Sequence, residues 1–282
     1  MSALVCLVTG CSFPTGFGVH ACRELTSRGH VVYAGLLDAE RDPAVGALRE
    51  MGARTIPFDV THDDQVAAAV ATILEAEGHI DALVNNAAFG AIGALEDTRT
   101  STLEHTLEVN LVGPHRLVRE VLPTMRERRR GAIVNVGSVN GFIAQPMLGA
   151  YSAAKAGLSM YSEILAYEVG HFGIRVHLVE PGGFATGIHQ RAPWEPGGLD
   201  PENPYYLLQM AFWGDPETWE AGDLGDPSLV GRTIADAVEE PSTPLFLPVP
   251  EDVAELRRRM FGMDAVARRE AVFTDVTTEI EW

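Results

Sequence analysis

The stretch from Leu4 to Gly18 reads LVCLVTGCSFPTGFG, a mostly apolar run followed by a turn that contains three glycines. The run Leu4–Thr9 is typical of a buried β-strand, and the residues Phe17–Arg28 that follow the turn are predicted to form a helix. Glycines between a first strand and a first helix let the backbone turn sharply and bring its amides against a diphosphate at the helix N-terminus. The stretch therefore predicts a strand, turn and helix that bind a dinucleotide.

Strands and helices alternate along the rest of the chain. The further predicted strands are Val31–Leu36, Thr55–Val60, Ala82–Val84, Ala132–Val136, Ile174–Val179 and Pro244–Val249. The further predicted helices are Pro43–Met51, Asp63–Glu77, Ser101–Arg126, one that holds Tyr151 and ends near Phe172, Pro227–Glu239, and Val253–Glu270. Repeated strand–helix units with continuous apolar strands predict an α/β protein with a doubly wound parallel sheet, the Rossmann fold.

The domain organisation predicted for the 282 residues is a single domain, residues 1–282, with a substrate lid at about 187–226 and a helical tail at about 251–282. The lid segment is the least regular part of the chain. It contains several prolines and the aromatic residues Trp194, Tyr205, Tyr206, Phe212, Trp213 and Trp219. These aromatic side chains either cover a bulky apolar substrate or pin the loop to the body of the protein, and the sequence leaves both interpretations open.

The formal net charge of −18 argues against nucleic acid or an anionic membrane as a partner. No window approaches the ~20 apolar residues that cross a bilayer, and the first apolar run is too short for a signal peptide. The cysteines, Cys6, Cys11 and Cys22, lack the spacing of a metal site, so no metal is expected. Unpaired thiols of this kind favour a reducing cytoplasm as the location.

Tyr151 and Lys155 are four residues apart, which places them on one face of a helix. An ammonium beside a phenol is expected to lower the pKa of the phenol from ~10. Of the 21 Lys and Arg residues only Lys155 is a lysine. A compact ammonium fits beneath a phenol where a planar guanidinium does not. Together with Ser138, the pair is a candidate for acid–base chemistry.

These motifs, in this order, resemble those of the short-chain dehydrogenase/reductase family over about Leu4–Thr186. The resemblance implies a catalytic set of Ser138, Tyr151, Lys155 and Asn110. Ser138 and Tyr151 would then bind the substrate oxygen, and Asn110 would hold a water relay. The Gly-rich turn reads TGxxxxxGxG, two residues longer than the family's TGxxxGxG.

The resemblance also implies a set of cofactor contacts. These are Gly10, Ser12, Gly16, Phe17, Gly18, Leu36, Asp59, Val60, Asn86, Ala87, Tyr151, Lys155, Pro181, Gly182 and Thr186. Asn85-Asn86-Ala87-Ala88 matches the family's NNAG motif except for its last residue. Pro181, Gly182 and Thr186 match the PGxxxT segment that holds the nicotinamide carboxamide.

The choice between NAD and NADP is expected to depend on the residues after the second strand. Leu36 stands where many relatives have an acidic residue for the adenosine ribose. Leu37 stands where NADPH-dependent relatives place an arginine, and Asp38 would repel a 2′-phosphate. The sequence therefore favours NAD and leaves NADP open.

The predicted function is hydride transfer between a nicotinamide and a secondary alcohol or ketone, with a bulky apolar small molecule as substrate. The alternatives are an NADPH-dependent biosynthetic ketoreductase and a non-catalytic dinucleotide sensor. The sequence of the Gly-rich turn resembles that of the family branch that contains retinol, hydroxysteroid and 3-hydroxybutyrate dehydrogenases. Residues 182–184, Gln145 and Met147 are expected to border the substrate pocket.

Family members pair through the helices that hold Asn110 and Tyr151, which implies a homotetramer or homodimer packed over Ala153, Ala154, Ala156 and Gly157.

Overall fold

A parallel β-sheet of seven strands runs through the part of the chain that the computed structural model describes, residues 3–186, 188, 192–214, 224–264 and 267. The strands are β1 Val5–Val8, β2 Val31–Leu36, β3 Arg54–Pro57, β4 Ala82–Asn85, β5 Gly131–Val136, β6 Ile174–Pro181 and β7 Phe246–Val249. Their spatial order is β3-β2-β1-β4-β5-β6-β7, and every neighbouring pair is parallel. The predicted doubly wound sheet is confirmed.

Helices connect the strands and cover both faces of the sheet. They are α1 Phe17–Ser27, α2 Val45–Glu50, α3 Asp63–Glu77, α4 Thr100–Leu107, α5 Gly113–Arg128, α6 Gly149–Val169, α7 Tyr206–Trp213, α8 Pro227–Glu239 and α9 Glu251–Phe261. Within the described ranges, none of the helices has both the length and the apolar character needed to cross a bilayer.

The strand order reverses between β1 and β4, because the chain leaves β3 at one edge and returns to the middle of the sheet. In such sheets a crevice opens at the carboxyl ends of the strands at this switch point. The Gly-rich turn after β1 and the residues Asn85 and Asn86 at the end of β4 lie there. The topology therefore places both sequence motifs at one edge of the sheet.

The core consists of two apolar layers, one on each face of the sheet. Alternate residues of β1 point into opposite layers: Cys6 and Val8 pack with α1, α2 and α8, whereas Val5 and Leu7 pack with α3, α5 and α6. Because both faces are covered, the inner strands are apolar at nearly every position. Burial of each such side chain contributes about 1.5–3 kcal/mol.

The helix predicted over Ser101–Arg126 is interrupted. A π-helical turn at Glu108–Val112 separates α4 from α5. Pro114 has no backbone N–H and cannot bond the carbonyl of Asn110 four residues earlier, so the regular α-helical pattern fails at this point. The turn carries Asn110 into the interior, where its side chain is fully buried.

The predicted lid falls partly on residues 187, 189–191 and 215–223, which lie outside the described residues. The described part of it contains α7, a helix that the sequence pattern did not predict. The predicted tail helix is shorter than expected: α9 ends at Phe261 rather than at Glu270, and residues 265, 266 and 268–282 lie outside the described residues.

The described part of the lid is bound to the segment 92–99. Ile92 and Glu195 are joined by a backbone hydrogen bond of 2.8 Å, and the guanidinium of Arg99 lies 3.1 Å from the buried carboxylate of Glu195. Asn203 donates to Asp97 at 2.9 Å. These contacts fix the chain that leads into α7 relative to the carboxyl edge of the sheet.

A buried chain of polar side chains fastens α6 to the sheet. The amide of Asn85 donates to Asn135 at 2.8 Å, and the amide of Asn135 donates to the hydroxyl of Ser162 at 2.8 Å. All three side chains are buried. Buried polar groups are costly without partners, so this chain fixes the position of α6 on β4 and β5.

Replacement of Asn135 by alanine is expected to lower the free energy of unfolding by about 2–3 kcal/mol, because Asn85 and Ser162 then lose buried partners. Urea denaturation measures the change. Thr72→Ala is the control, because Thr72 is exposed on α3 and its replacement should change stability by less than about 0.5 kcal/mol. Equal effects of the two substitutions would contradict the role given to the polar chain.

Candidate active site

A cleft of about 900 Å³ opens at the carboxyl ends of the strands. Of the residues predicted from the sequence to form the site, it is lined by Gly10, Gly16, Phe17, Asn86, Ser138, Tyr151, Lys155, Pro181, Gly182 and Thr186. The structure therefore brings together the Gly-rich turn, the serine, tyrosine and lysine, and the segment after β6. Gln145, Gly183 and Phe184 also line the cleft, whereas Met147 is buried behind it.

The Gly-rich turn leaves no room for side chains at two of its glycines. Gly10 has a φ of +70°, and a Cβ there would lie 2.6 Å from the Cα of Ala87. A Cβ at Gly18 would lie 2.7 Å from the amide nitrogen of Asn86, which in turn donates to the carbonyl of Thr9 at 2.8 Å. No side chain caps the N-terminus of α1, and the amides of its first two residues, Phe17 and Gly18, are open to an anion.

The two additional residues of the turn are held by defined contacts. The amide of Gly16 donates to the carbonyl of Phe13 at 2.9 Å, which closes a tight turn. The hydroxyl of Thr15 donates to the carbonyl of Thr186 at 2.9 Å. The longer turn thus reaches across the cleft and contacts the segment that follows β6.

Ser138 and Tyr151 meet at the centre of the cleft. Ser138 follows β5, and its Oγ accepts a hydrogen bond of 3.1 Å from the amide of Asn140. Tyr151 lies in the first turn of α6 and shares a hydrogen bond with Ser138. The short 3₁₀ turn Val139–Gly141 orients the serine toward the phenol.

Lys155 lies one turn further along α6, with 2% of its surface exposed. Its Nζ donates to the carbonyl of Val136 at 2.8 Å and lies 5.6 Å from the centre of the Tyr151 ring. Burial lowers the pKa of Lys155 to about 7, because the ammonium loses water as a solvent.

The expectation that Lys155 lowers the pKa of Tyr151 is not met. Burial raises the pKa of Tyr151 to about 12, and the hydrogen bond with Ser138 opposes that rise only in part. The reason is that burial disfavours the charged form of both groups. It raises the free energy of the Tyr151 phenolate, and it also disfavours the Lys155 ammonium that would stabilise this phenolate.

Asn110 is fully buried behind the cleft in the π-helical turn. Its amide nitrogen donates to the carbonyls of Phe89 and Thr106 at 2.6 and 2.8 Å. Its Oδ1 is buried and has no hydrogen-bond partner among the described residues. Asn110 therefore presents one free acceptor beside the loop that carries Phe89 into the cleft.

The remaining residues predicted to contact a cofactor do not line the cleft. Gly18 and Ala87 lie directly behind Gly10, and the hydroxyl of Ser12 donates to Asp42 at 2.7 Å. Leu36 is a core residue of β2. The carboxylate of Asp59 accepts from the amide and hydroxyl of Thr61 at 2.9 and 2.8 Å, and the buried Val60 packs at Gly113.

The aromatic residues of the described lid divide into two groups. Phe212 and Trp213 line the cleft, whereas Trp194 and Tyr205 pack on a small apolar cluster around Ile92. Trp213 belongs to that cluster too and donates through its indole N–H to the carbonyl of Pro146 at 3.2 Å. Trp194 and Tyr205 therefore pin the segment to the body of the protein, Phe212 faces the cleft, and Trp213 does both. Trp219 lies outside the described residues.

Asn140 was not predicted from the sequence. It is buried, lines the cleft and bonds to both Ser138 and Gln145. The only feature of the sequence that could have identified it is its position two residues after Ser138. Within the described ranges, no group of three or more His, Cys, Asp or Glu side chains is arranged to hold a metal ion.

Comparison with known proteins shows the family. A family model described as short chain dehydrogenase matches residues 4–195. A 3-ketodihydrosphingosine reductase of Bacteroides thetaiotaomicron is 38% identical over 190 residues, which are 67% of this chain and 66% of the reductase, just under two thirds of its length. Estradiol 17-beta-dehydrogenase 1 of Rattus norvegicus is 34% identical over 266 residues, 88% of this chain and 76% of the relative.

Solved structures show the same architecture. A short-chain dehydrogenase from Streptomyces avermitilis superposes with a TM-score of 0.80 at 32% identity, with all of both chains covered. A metagenomic short-chain oxidoreductase in complex with NADP has a TM-score of 0.68 at 27% identity, with 88% of this chain and 97% of that chain covered. The chain belongs to the short-chain dehydrogenase family of NAD(P)-dependent oxidoreductases.

Proposed function

We propose that the protein interconverts a secondary alcohol and a ketone by hydride transfer with a nicotinamide cofactor. The observation that carries the proposal is the meeting of Ser138, Tyr151 and Lys155 in one cleft beside the Gly-rich turn. A hydroxyl and a phenol that share a hydrogen bond, with an ammonium in the same cleft, supply the donors that a carbonyl oxygen needs during reduction.

The residues of the cleft fit a nicotinamide dinucleotide. The open amides of α1 would hold its diphosphate, because Gly10 and Gly18 let the backbone approach closely. Pro181, Gly182 and Thr186 would hold the nicotinamide, and Lys155 its ribose. When bound, the cofactor supplies or accepts the hydride at the reacting carbon of the substrate.

Each side chain then has a defined role toward the substrate oxygen. During reduction Ser138 turns its hydroxyl hydrogen from Oδ1 of Asn140 to this oxygen, on which negative charge develops. Tyr151 donates its phenolic proton during reduction and takes it back during oxidation. The ammonium of Lys155 stabilises the phenolate that remains. The free Oδ1 of Asn110 holds the water through which a proton returns from solvent to the tyrosine.

The substrate is proposed to be a bulky, mostly apolar small molecule. Apolar side chains on the walls of the cleft support this: Phe89, Ile92, Leu148, Phe212, Trp213 and Leu224. The relative at 38% identity is named for 3-ketodihydrosphingosine, and one of the relatives at 34% identity is named for estradiol. The cytoplasm is the proposed location, because Cys6, Cys11 and Cys22 are free buried thiols.

NAD is proposed as the cofactor. The loop after β2 folds back on the Gly-rich turn, where the carboxylate of Asp42 accepts from Ser12 at 2.7 Å and from the amide of Asp38 at 3.1 Å. The cation of this loop, Arg41, is 88% exposed on its side chain and lies 3.9 Å from Asp38. A 2′-phosphate would meet these carboxylates. The NADP-bound structure at 27% identity favours NADP as the second candidate.

A homodimer or homotetramer is proposed to form through α6. Met160, Ile164 and Tyr167 lie on one face of this helix and are 59%, 48% and 76% exposed. Ala153 and Ala156 continue the face toward the N-terminus of the helix and are exposed as well, whereas Ala154, also expected at the interface, is buried within the chain. An apolar helical stripe with small residues at one end suits close packing against a second copy.

The substitution Tyr151→Phe is expected to lower kcat by about 10²–10⁴-fold, because it removes the proton donor. NADH affinity should stay within about threefold of wild type, since the ring is kept. Stopped-flow absorbance at the NADH band and calorimetric titration measure the two quantities. The matched control is Tyr161→Phe on the same helix, whose hydroxyl contacts His115 at 3.1 Å outside the cleft lining. Near-normal turnover in Tyr151→Phe would refute the assignment.

Calorimetric titration with NADH and NADPH is expected to show at least about tenfold tighter binding of NADH, because the carboxylates near Ser12 repel a 2′-phosphate. The substitution Gly10→Ala should abolish binding of either nucleotide, because the new Cβ collides with Ala87. Gly52→Ala is the control: Gly52 also has a positive φ, of +89°, but no atom lies within 4 Å of the new Cβ. Binding of neither nucleotide by wild type would exclude the proposed function, and tighter NADPH binding would assign the second cofactor.

The substitution Ile164→Glu is expected to convert the oligomer to monomers, because a buried carboxylate at the interface has no partner. Analytical ultracentrifugation measures the mass. Leu207→Glu, at an exposed leucine of α7, should leave the assembly intact. A wild-type protein that sediments as a monomer at micromolar concentration contradicts the proposal.

A further inference from the structure

A chain of side-chain hydrogen bonds runs from the serine of the site along one wall of the cleft. The hydroxyl of Ser138 donates to Oδ1 of Asn140 at 3.3 Å, and Nδ2 of Asn140 donates to Oε1 of Gln145 at 3.1 Å. Asn140 is buried, and Gln145 is half-buried. All three side chains line the cleft.

The direction of this chain determines which end of Gln145 remains free. The backbone amide of Asn140 already donates to the Oγ of Ser138, so the hydroxyl hydrogen points to an acceptor, the Oδ1 of Asn140. Nδ2 of Asn140 then faces Gln145 as a donor, and Oε1 of Gln145 accepts from it. The Nε2 amino group of Gln145 is left with no hydrogen-bond partner among the described residues.

The surroundings of Gln145 give its free amino group significance. The other polar side chains that line the described cleft are Asn86, Lys155 and Thr186, which belong to the proposed dinucleotide site, and Ser138 and Tyr151, which bind the reacting oxygen. The remaining walls are apolar and aromatic. In an apolar cleft with few polar groups, those groups fix the orientation of a ligand.

We propose that Gln145 determines substrate specificity by donating a hydrogen bond from Nε2 to a second, uncharged acceptor oxygen of the substrate. This inference rests on the proposed oxidoreductase function. The substrate class is a bulky apolar ketone, or its alcohol, with an ester, ketone or ether oxygen a few bonds from the reacting carbon. A neutral amide donor suits a neutral acceptor, because a carboxylate in the same place would be buried without a cation from the described lining.

Asn140 is the positioning residue of this pair. It touches the serine on one side and holds Oε1 of Gln145 on the other, so it presents the amide of Gln145 at a fixed distance from the reacting oxygen. A substrate with both oxygens satisfies both donors at once. A plain ketone leaves the amide of Gln145 buried without a partner, which lowers its relative kcat/KM.

Two ketones of equal length test the proposal, ethyl 3-oxo-3-phenylpropanoate and 1-phenylhexan-1-one, which differ in the ester group. The measured quantity is the ratio of their kcat/KM values in each variant, so that the greater intrinsic reactivity of the keto ester cancels. Gln145→Met keeps the length of the side chain and removes the amide. We expect it to lower the kcat/KM of the keto ester by about tenfold or more and that of the plain ketone by less than about threefold.

Two further variants separate hydrogen bonding from shape and from folding. Leu148→Met changes an apolar wall residue of the same cleft, and it should change the kcat/KM of both ketones by the same factor. Asn140→Ala keeps the backbone amide that bonds Ser138 but releases Gln145. In that background Gln145→Met should alter the ratio by less than about threefold, because a side chain that is no longer positioned contributes little.

The outcomes distinguish this inference from the proposed function. Turnover of neither ketone, or of any other alcohol or ketone, by wild type removes the proposed function and the inference with it. Turnover of both ketones with an unchanged ratio in Gln145→Met overturns the inference and leaves the proposed function standing. A keto ester penalty of the expected size in Gln145→Met, lost in the Asn140→Ala background, supports it.

Discussion

The burial of one ammonium group is the constraint on which the rest of the site depends. Lys155 is the only lysine of the chain and is among its largest fully buried side chains. A buried ammonium loses its hydration, and the carbonyl of Val136 at 2.8 Å replaces only part of it. Because its pKa falls to about 7, the folded protein binds fewer protons than the unfolded chain between that value and the ordinary lysine pKa. This group therefore destabilises the fold at neutral pH, and stability rises as the pH increases through that interval.

The surrounding structure holds this unfavourable group in place. The polar chain from Asn85 through Asn135 to Ser162 fixes α6 on the central strands, so that the lysine cannot move out to solvent. At the end of β5 the amide of Asn140 fixes the hydroxyl of Ser138 against Tyr151. Rigid elements therefore hold each donor before any substrate arrives, which is the arrangement that electrostatic catalysis requires.

Much of the fold and of the site could be predicted from the sequence, because the signals are local. Continuous apolar strands predicted the parallel sheet, and the four-residue spacing of Tyr151 and Lys155 predicted a shared helical face. The break at Glu108–Val112 depends on the missing amide of Pro114, which a periodic apolar pattern conceals. Helix α7 was missed because the chain that leads into it is held by contacts with the segment 92–99, which is distant in sequence.

The electrostatics of the site could not be predicted in the same way. An ammonium beside a phenol in sequence suggests a lowered phenol pKa, whereas the structure buries both groups and raises the pKa of Tyr151 to about 12. Burial is a property of the packed chain and leaves no local pattern. The pairing of Asn140 with Gln145 is equally invisible, because the loop between β5 and α6 brings these residues together at a spacing that neither a helix nor a strand repeats.

The pKa of Lys155 tests this account most directly, and the composition of the chain makes it accessible. Because Lys155 is the only lysine, protein labelled with ¹³C-lysine gives a single side-chain Cε signal in an NMR spectrum. A pH titration of that signal in the folded protein measures the pKa without any substrate. We predict a midpoint near pH 7, the value to which burial lowers this pKa. A midpoint at the ordinary lysine value, above about pH 10, would show that the ammonium is solvated and would contradict the account.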